Sequence, residues 1–422
     1  MIPSGTNLPK VGDFNQIVVL EAIRRVPDGL SRVELASDTG LSSQTITNIA
    51  KKLLASGLIA EVGRETVGPG KPRTILQLKR NARYAVGIHI DPTTTTVVVM
   101  NWCGDVTARE RITTPLSHDP GLVVSRVTDL VDGVISASNA PKGAIIGLGV
   151  AAPGPINAAE GTVVHPPNLR GWEDVHLRDA LRESTGLETV MSKDAIASMV
   201  AERWLARNLT GRTAIFIYLG SGVGAGLMAN GEVIRGSTLN AGECGDLLVG
   251  QPTQDGSSVV GYFGRECQPL ALASKAIAAG LVPSEVGTLL DRSSEATDST
   301  QPPLDPIDLA LSCLTASAAR GEAKALDILR RGSEATAQAI ATISDLVDAD
   351  QVIVGGPYWH HLEAWYMRWL AADVNSFAGL APLRQVLVRG SAVGTDVGAV
   401  GAATLAFDEM FSPRASTLFL NA

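Results

Sequence analysis

Residues 31–62 (SRVELASDTGLSSQTITNIAKKLLASGLIAEV) carry start and stop signals for two short helices in close succession, a pattern that few folds accommodate. Ser31 can cap the first helix, and Glu34 three residues on completes a reciprocal capping box. Val33, Leu35 and Ala36 supply its apolar side, and Gly40 is the tight-turn residue that ends it. Ser42 caps a second helix in which Ile46, Ile49, Ala50 and Leu53 recur at helical spacing, and Gly57 stops it. Residues 58–62 and 74–78 then read as two strands joined by GRETVGPGKPR. A preceding helix over about residues 15–25, with Ile17, Leu20 and Ile23 as its stripe, completes a three-helix core. The pattern predicts a winged helix–turn–helix over residues 1–80.

The outer side of the second helix carries amide, hydroxyl and ammonium groups, which suit base edges and phosphates in a major groove. DNA contacts are expected from Arg32, Ser43, Gln44, Thr45, Thr47, Asn48 and Lys51, with Lys71 and Arg73 near the hairpin tip touching the backbone or minor groove. A capped helix pair with a polar outer face also suits a purely structural domain. The turn glycine, both caps and a basic wing in the right order favour DNA. Charge agrees. The chain of 422 residues has a formal net charge of −8, but residues 1–80 hold 11 Lys/Arg against 7 Asp/Glu and the remainder 24 against 36. The basic excess coincides with the expected reader, as phosphate binding requires, and the acidic remainder argues against a second nucleic-acid surface.

Four scattered cysteines (Cys103, Cys244, Cys267 and Cys313) form no CxxC pair, which argues against a disulfide framework or zinc ribbon and points to reduced thiols. No apolar run approaches the ~18 residues of a membrane span, and the first residues lack a signal-peptide core, so a cytoplasmic protein with no membrane partner is expected. After residue 78 the pattern turns α/β. Residues 84–91, 95–100 and 106–113 read as strands, 121–137 as a helix, and 144–151 as a buried strand ending at Pro153-Gly154-Pro155. A helix (177–185), a strand (187–191) and a helix (194–206) follow, and the cycle restarts at 213–219 before GSGVGAG. Two successive units of strands and helices predict a duplicated α/β fold with a cleft between lobes. Residues 283–306 are Ser/Thr/Pro-rich and acidic, and read as a surface loop or insertion; Leu418-Phe419-Leu420 in the tail reads as a docking element.

With these residues in view, the chain resembles the ROK family of bacterial repressors and sugar kinases. The segments that carry the resemblance are GVAAPGPI (149–156), HPPNL (165–169) with Trp172, LGSGVGAGLMANGEVIRGSTLNAGECGDLLV (219–249), VIVGGP (352–357) and GTDVGAVGAA (394–403). The resemblance implies a winged helix–turn–helix joined to a two-lobed α/β domain of the actin-like ATPase type (ribonuclease H-like, sugar kinase-like). It places the first lobe at 81–193 and 395–410, the second lobe with a dimerisation surface at 194–394, and a tail at 411–422. By the same resemblance Asn168, Asp194, Glu243 and Asp246 are expected to contact a ligand.

The departures from the family pattern shape the expected function. Where family kinases have an Asp-x-Gly-Gly-Thr phosphate turn, this chain has Asp91-Pro92-Thr93-Thr94-Thr95. The missing glycines and the N–H removed by Pro92 argue against ATP, leaving Asp91 as a turn residue. Asp194 aligns with the general base, but the Asn before it is Lys193. Asp246 stands where the family has a metal-bound His, and residues 250–268 contain only Cys267 in place of the Cys-rich zinc loop, so no metal, no cofactor and no catalysis are expected. The expectation is a sequence-specific DNA-binding repressor, a homodimer or dimer of dimers on an inverted-repeat operator, with a sugar as effector. An active sugar kinase and a regulator controlled by a protein partner are the alternatives.

Overall fold

A computed structural model describes residues 8–65, 73–115, 119–164, 169, 172, 175–206, 209, 211–252, 258–292 and 305–412. The first of these segments form α1 (Leu8–Arg25), β1 (Leu30–Ser31), α2 (Arg32–Thr39), α3 (Ser43–Ala55), β2 (Ile59–Glu65) and β3 (Arg73–Leu78). The capping signals act as the sequence predicts. The Ser31 hydroxyl accepts from the Glu34 N–H, the Glu34 carboxylate accepts from the Ser31 N–H at 2.8 Å, and Gly40 ends α2 in the left-handed region at φ 69. Leu35, Ile46, Ile49, Ala50 and Leu53 bury against Val19, Leu20 and Ile23 of α1. Val33, expected on the same apolar side, is 58% exposed. Two residues from Leu35 is about 200° around a helix, so the pair cannot share a face. β1 adds a third strand to the wing by pairing Leu30 with Leu76, giving the order β1-β3-β2.

The α/β region opens with β4 (Tyr84–Ile90), β5 (Thr94–Asn101), β6 (Val106–Thr113), α4 (Pro120–Ala137), β7 (Ile145–Ala152), β8 (Ile156–Asn157), β9 (Thr162–Val163), α5 (Leu177–Thr185), β10 (Thr189–Lys193) and α6 (Asp194–Leu205). A second cycle runs β11 (Ala214–Leu219), β12 (Val223–Ala229), β13 (Glu232–Ile234), β14 (Leu248–Pro252), β15 (Ser258–Tyr262), α7 (Phe263–Cys267), α8 (Pro269–Ala278), α9 (Ser284–Arg292), α10 (Pro306–Ala319) and α11 (Ala323–Val347). It closes with β16 (Gln351–Gly355), α12 (Trp359–Tyr366), α13 (Leu370–Phe377), β17 (Leu387–Gly390) and α14 (Val397–Phe411).

The two sheets repeat one topology. In the first, β4-β5-β6 is an antiparallel meander and β7 and β10 add in parallel on the other side of β4, giving β10-β7-β4-β5-β6. In the second, β11-β12-β13 is the meander and β16 and β17 add in parallel beside β11. Between the sheets lie α14, packed on β4 and β7, and α6, packed on β11 and β12, with the two helices against each other. Small residues allow this approach. A Cβ on Gly149 would lie 1.8 Å from the Ala402 carbonyl oxygen, one on Gly87 2.0 Å from that of Ala399, and one on Gly226 2.3 Å from that of Ala195. Glycine in a strand interior costs stability, and a backbone packed directly upon it is the compensating reason.

One element departs from expectation. Residues 284–292, read as part of a loop, form α9, with Val286 buried and Leu290 packed on the core of the second lobe. Val286, Leu289 and Leu290 recur at helical spacing, a signal overshadowed by the acidic, Ser/Thr-rich residues after them. Residues 293–304 and the 418–420 triplet lie outside the described residues. Among the described residues no helix is long and apolar enough to cross a membrane.

Candidate functional site

The exposed side of α3 presents Ser43, Gln44, Asn48, Lys51 and Lys52. The Gln44 amide donates to the Asn48 amide oxygen at 3.3 Å, so the two already lie side by side one turn apart. Thr45 is turned partly inward with its hydroxyl 2.9 Å from that of Ser42, and the Thr47 hydroxyl donates back to the Ser43 carbonyl at 2.7 Å. Arg32 is tied to Glu61 of the wing at 2.9 Å, which bridges α2 to β2 and makes this guanidinium a brace between helix and wing. Arg73 opens β3, half-buried, while Lys71 lies outside the described residues.

This reader is joined to the α/β region by an aromatic joint that draws on both α6 and α14. Arg24 of α1 lies 3.9 Å over the Trp204 ring of α6, and its guanidinium also donates to the Trp204 carbonyl. Trp204 stacks on Phe407 of α14 with centroids 5.8 Å apart, and its indole N–H donates to the Trp102 carbonyl at 3.2 Å. Trp102 donates in turn to the Lys79 carbonyl at the end of the wing, at 3.0 Å. A cavity of about 230 Å³ opens at this joint, walled by Arg24, Trp102, Arg203 and Trp204 among others.

A second cavity of about 190 Å³ lies between the lobes, lined by Asp91, Gly154, Lys193, Asp194, Tyr218 and Glu243 among others. Strand β10 delivers Lys193 and Asp194 to its rim, and Asp194 opens α6 with its carboxylate accepting from the Ala195 N–H at 2.6 Å. Glu243 follows Gly242, which holds φ +86; a Cβ there would sit 1.6 Å from the Ala225 carbonyl oxygen, so only glycine fits. The Lys193 side chain is almost wholly buried and its Nζ meets Glu243 Oε1 at 2.6 Å. A buried ammonium needs such a partner. Of the four residues expected to contact ligand, Asp194 and Glu243 come together here. Asp246 is exposed and does not line the cavity: it follows Gly245, which turns the chain outward after Cys244 enters the core. Asn168 lies outside the described residues.

Burial pushes the Asp194 carboxyl up to about 7 against the opposing pull of Lys193. An acid whose native pKa exceeds its unfolded one keeps its proton in the native state between about pH 4 and 7, where the unfolded chain has lost it. Stability from this group therefore declines as pH rises through that window. Asp194→Asn, which retains the acceptor for the Ala195 N–H, is expected to be near neutral at pH 4.5 and to stabilise by about 1–2 kcal/mol at pH 8. Urea unfolding of both proteins at the two pH values checks the sign; an equal difference at both would contradict it.

Beside this cavity, at the position of the family phosphate turn, two carboxylates converge. The Thr93 hydroxyl is 2.9 Å from Asp91 Oδ1, 3.2 Å from Asp305 Oδ2 and 3.0 Å from the Tyr358 hydroxyl, which donates to Asp305 at 2.8 Å. Asp305 also caps α10, accepting from the Ile307 and Asp308 N–H groups at 3.0 and 3.3 Å. It thereby occupies a helix N-terminus that could otherwise receive an anion. Asp91 does more than shape a turn. Its carboxylate accepts from the Ser221 N–H at 3.2 Å and from the Ser221 hydroxyl, linking the end of β4 to the β11–β12 turn of the other lobe. At the cleft, Tyr218 reaches Nε2 of His89 at 2.9 Å, and burial lowers the His89 pKa and keeps that imidazole neutral. The Asp305–Tyr358 bridge has no direct sign in the sequence, though Asp before Pro306 is a helix-start signal.

A winged helix fused to a duplicated, two-lobed α/β domain with a cleft between the lobes defines a class: a sugar-kinase-like domain carrying a DNA-binding-type module. The ROK family model matches residues 85–409, and the chain belongs to the ROK family. A MarR family model matches residues 13–68, over the winged helix. The chain is 27% identical over 241 residues to a xylose repressor of Caldicellulosiruptor bescii, covering 56% of this chain and 59% of that protein. It is 31% identical over 167 residues to a glucokinase of Halalkalibacterium halodurans, covering 40% of this chain and 50% of the other. The chain thus spans between half and three fifths of the length of these relatives. The fold matches a crystal structure of a ROK family transcriptional regulator, a homologue of the E. coli Mlc protein, with TM-score 0.69 and 18% identity over 96% of this chain and 98% of that one.

Proposed function

We propose that this chain is a DNA-binding transcriptional repressor. Its α3 reads the major groove, and its ROK domain serves as a dimerisation and sensing module. The observation that carries the reading is the exposed Gln44–Asn48 pair on α3, flanked by Lys51 and backed by a wing, on a module packed through Arg24 against Trp204 of α6. One recognition helix reads only a few base pairs, so a two-fold dimer on an inverted repeat supplies the remaining specificity. The resemblance to a xylose repressor supports the same reading.

The cleft supports an uncharged polyol as effector. Lys193 and Glu243 cancel each other, and Asp194 with its pKa near 7 can present either a carboxylate or a hydroxyl to a sugar. Binding would favour one lobe arrangement and so alter the spacing of two readers in a dimer. Sugar phosphorylation is the second reading, favoured by the glucokinase relative and by an Asp194 pKa suited to a general base. Against it, a triphosphate at the family's phosphate position would meet Asp91 and Asp305, where transfer needs a cradle and charge neutralisation. With saturating hexoses or pentoses and no nucleotide, the melting temperature is expected to rise, since a ligand of the native state stabilises by mass action. ATP-Mg is expected to produce no shift and no sugar-dependent ADP. ADP release that disappears in Asp194→Asn would establish the kinase reading instead.

A further inference from the structure

Where α10 and α12 begin, Asp308, His360 and His361 bring one carboxylate oxygen and two imidazole nitrogens within 4.8 Å of one another. We propose that these three residues form a binding site for a divalent late first-row transition metal such as Zn²⁺, Ni²⁺ or Co²⁺. The set is unrelated to the Cys-rich loop that residues 250–268 lack, and is drawn from α10 and α12.

The geometry supports it. Asp308 Oδ1 lies 3.5 Å from His360 Nε2 and 2.8 Å from His361 Nε2. Two ligands on a tetrahedral ion with bonds of ~2.0–2.1 Å are separated by about 3.3 Å, so one spacing already fits and the other opens by about half an ångström. His360 Nδ1 lies 3.1 Å from the Pro357 carbonyl oxygen. The N–H it donates there leaves Nε2 as the lone-pair nitrogen, the outer-shell arrangement that orients metal-bound histidines. Asp308 and His360 are about half exposed, which leaves an approach for the ion and room for water as further ligands.

The site also has a position in the molecule. Asp305 precedes Asp308 in the first turn of α10, and Tyr358 precedes His360 at the start of α12. An ion bound by Asp308 and the two histidines would tie together the same helix starts that hold Thr93 of the first lobe.

The test uses the full chain, stripped with EDTA and titrated with Co²⁺ and with Zn²⁺. One equivalent of Co²⁺ is expected to give ligand-field bands without thiolate charge transfer, and Zn²⁺ is expected to displace it and raise the melting temperature. Asp308→Asn, which keeps an oxygen facing His361, and the double variant His360→Ala/His361→Ala are expected to weaken binding at least about tenfold. Asp308→Asn guards against a fold lost in the double variant. Unchanged affinity in Asp308→Asn, or a thiolate band that marks Cys103, Cys244, Cys267 or Cys313 as the ligand, would overturn the assignment.

Discussion

Replacing both Gln44 and Asn48 with alanine is expected to leave α3 intact and to remove most of the discrimination between operator and unrelated DNA. Alanine is the better helix former, and neither side chain is buried, so the helix keeps its Ile46, Ile49, Ala50 and Leu53 contacts. Each bidentate amide contact to a base is worth ~1–3 kcal/mol of discrimination, and the two amides already touch, so their losses need not add. Affinity for non-specific duplex should persist, because in the proposed mode it rests on phosphate contacts from Lys51 and its neighbours. Lys51→Ala is expected to do the reverse: uniform weakening across sequences, with the salt dependence reduced by about one counterion. Fluorescence anisotropy over a range of salt concentrations separates the two behaviours. Operator discrimination surviving in the double variant would remove α3 from the reading role.

Trp204→Ala should be the most destabilising single change at the junction of the two modules. Trp204 is 3% exposed, stacks on Phe407, lies under the Arg24 guanidinium and hydrogen-bonds the Trp102 backbone. Truncating a buried tryptophan costs ~3–5 kcal/mol, part of it the cavity left behind. The consequence for regulation is separable. Arg24→Met keeps a long apolar stem over the ring but loses the donor to the Trp204 carbonyl and the ion pair with Glu21. In that variant the effector should still raise the melting temperature through the ROK cleft, while its effect on DNA affinity shrinks. Coupling between two sites is reciprocal, so DNA should likewise stop changing the effector's affinity. Urea unfolding measures the first effect, and DNA titrations with and without effector measure the second. A full effector response in Arg24→Met would place the coupling elsewhere.

Much of this architecture is legible in the sequence because it rests on local signals. The Ser31–Glu34 box, the Gly40 stop and the Ser42 cap are each written within four residues of the backbone groups they satisfy. The β-branched runs at 84–90 and 214–219 likewise announce buried strands with no knowledge of their neighbours. What the sequence hides depends on partners far along the chain. Asp91 reads as a turn residue until Ser221, 130 positions away, is found on its carboxylate. Lys193 reads as a lost sugar contact until Glu243 is seen to neutralise it. Asp246 shows the opposite: its motif position is legible in the sequence, but its exposed place outside the cavity lining is not.

Selection of bound duplexes from a random-sequence pool by the full chain tests the central claim most directly. The account predicts enrichment of an inverted repeat whose half-sites lie about one helical turn, or a multiple of it, apart, with enrichment lost when Gln44 and Asn48 are both alanine. A pool that stays unenriched with the native chain, or one that converges on the same repeat with the alanine variant, would contradict it.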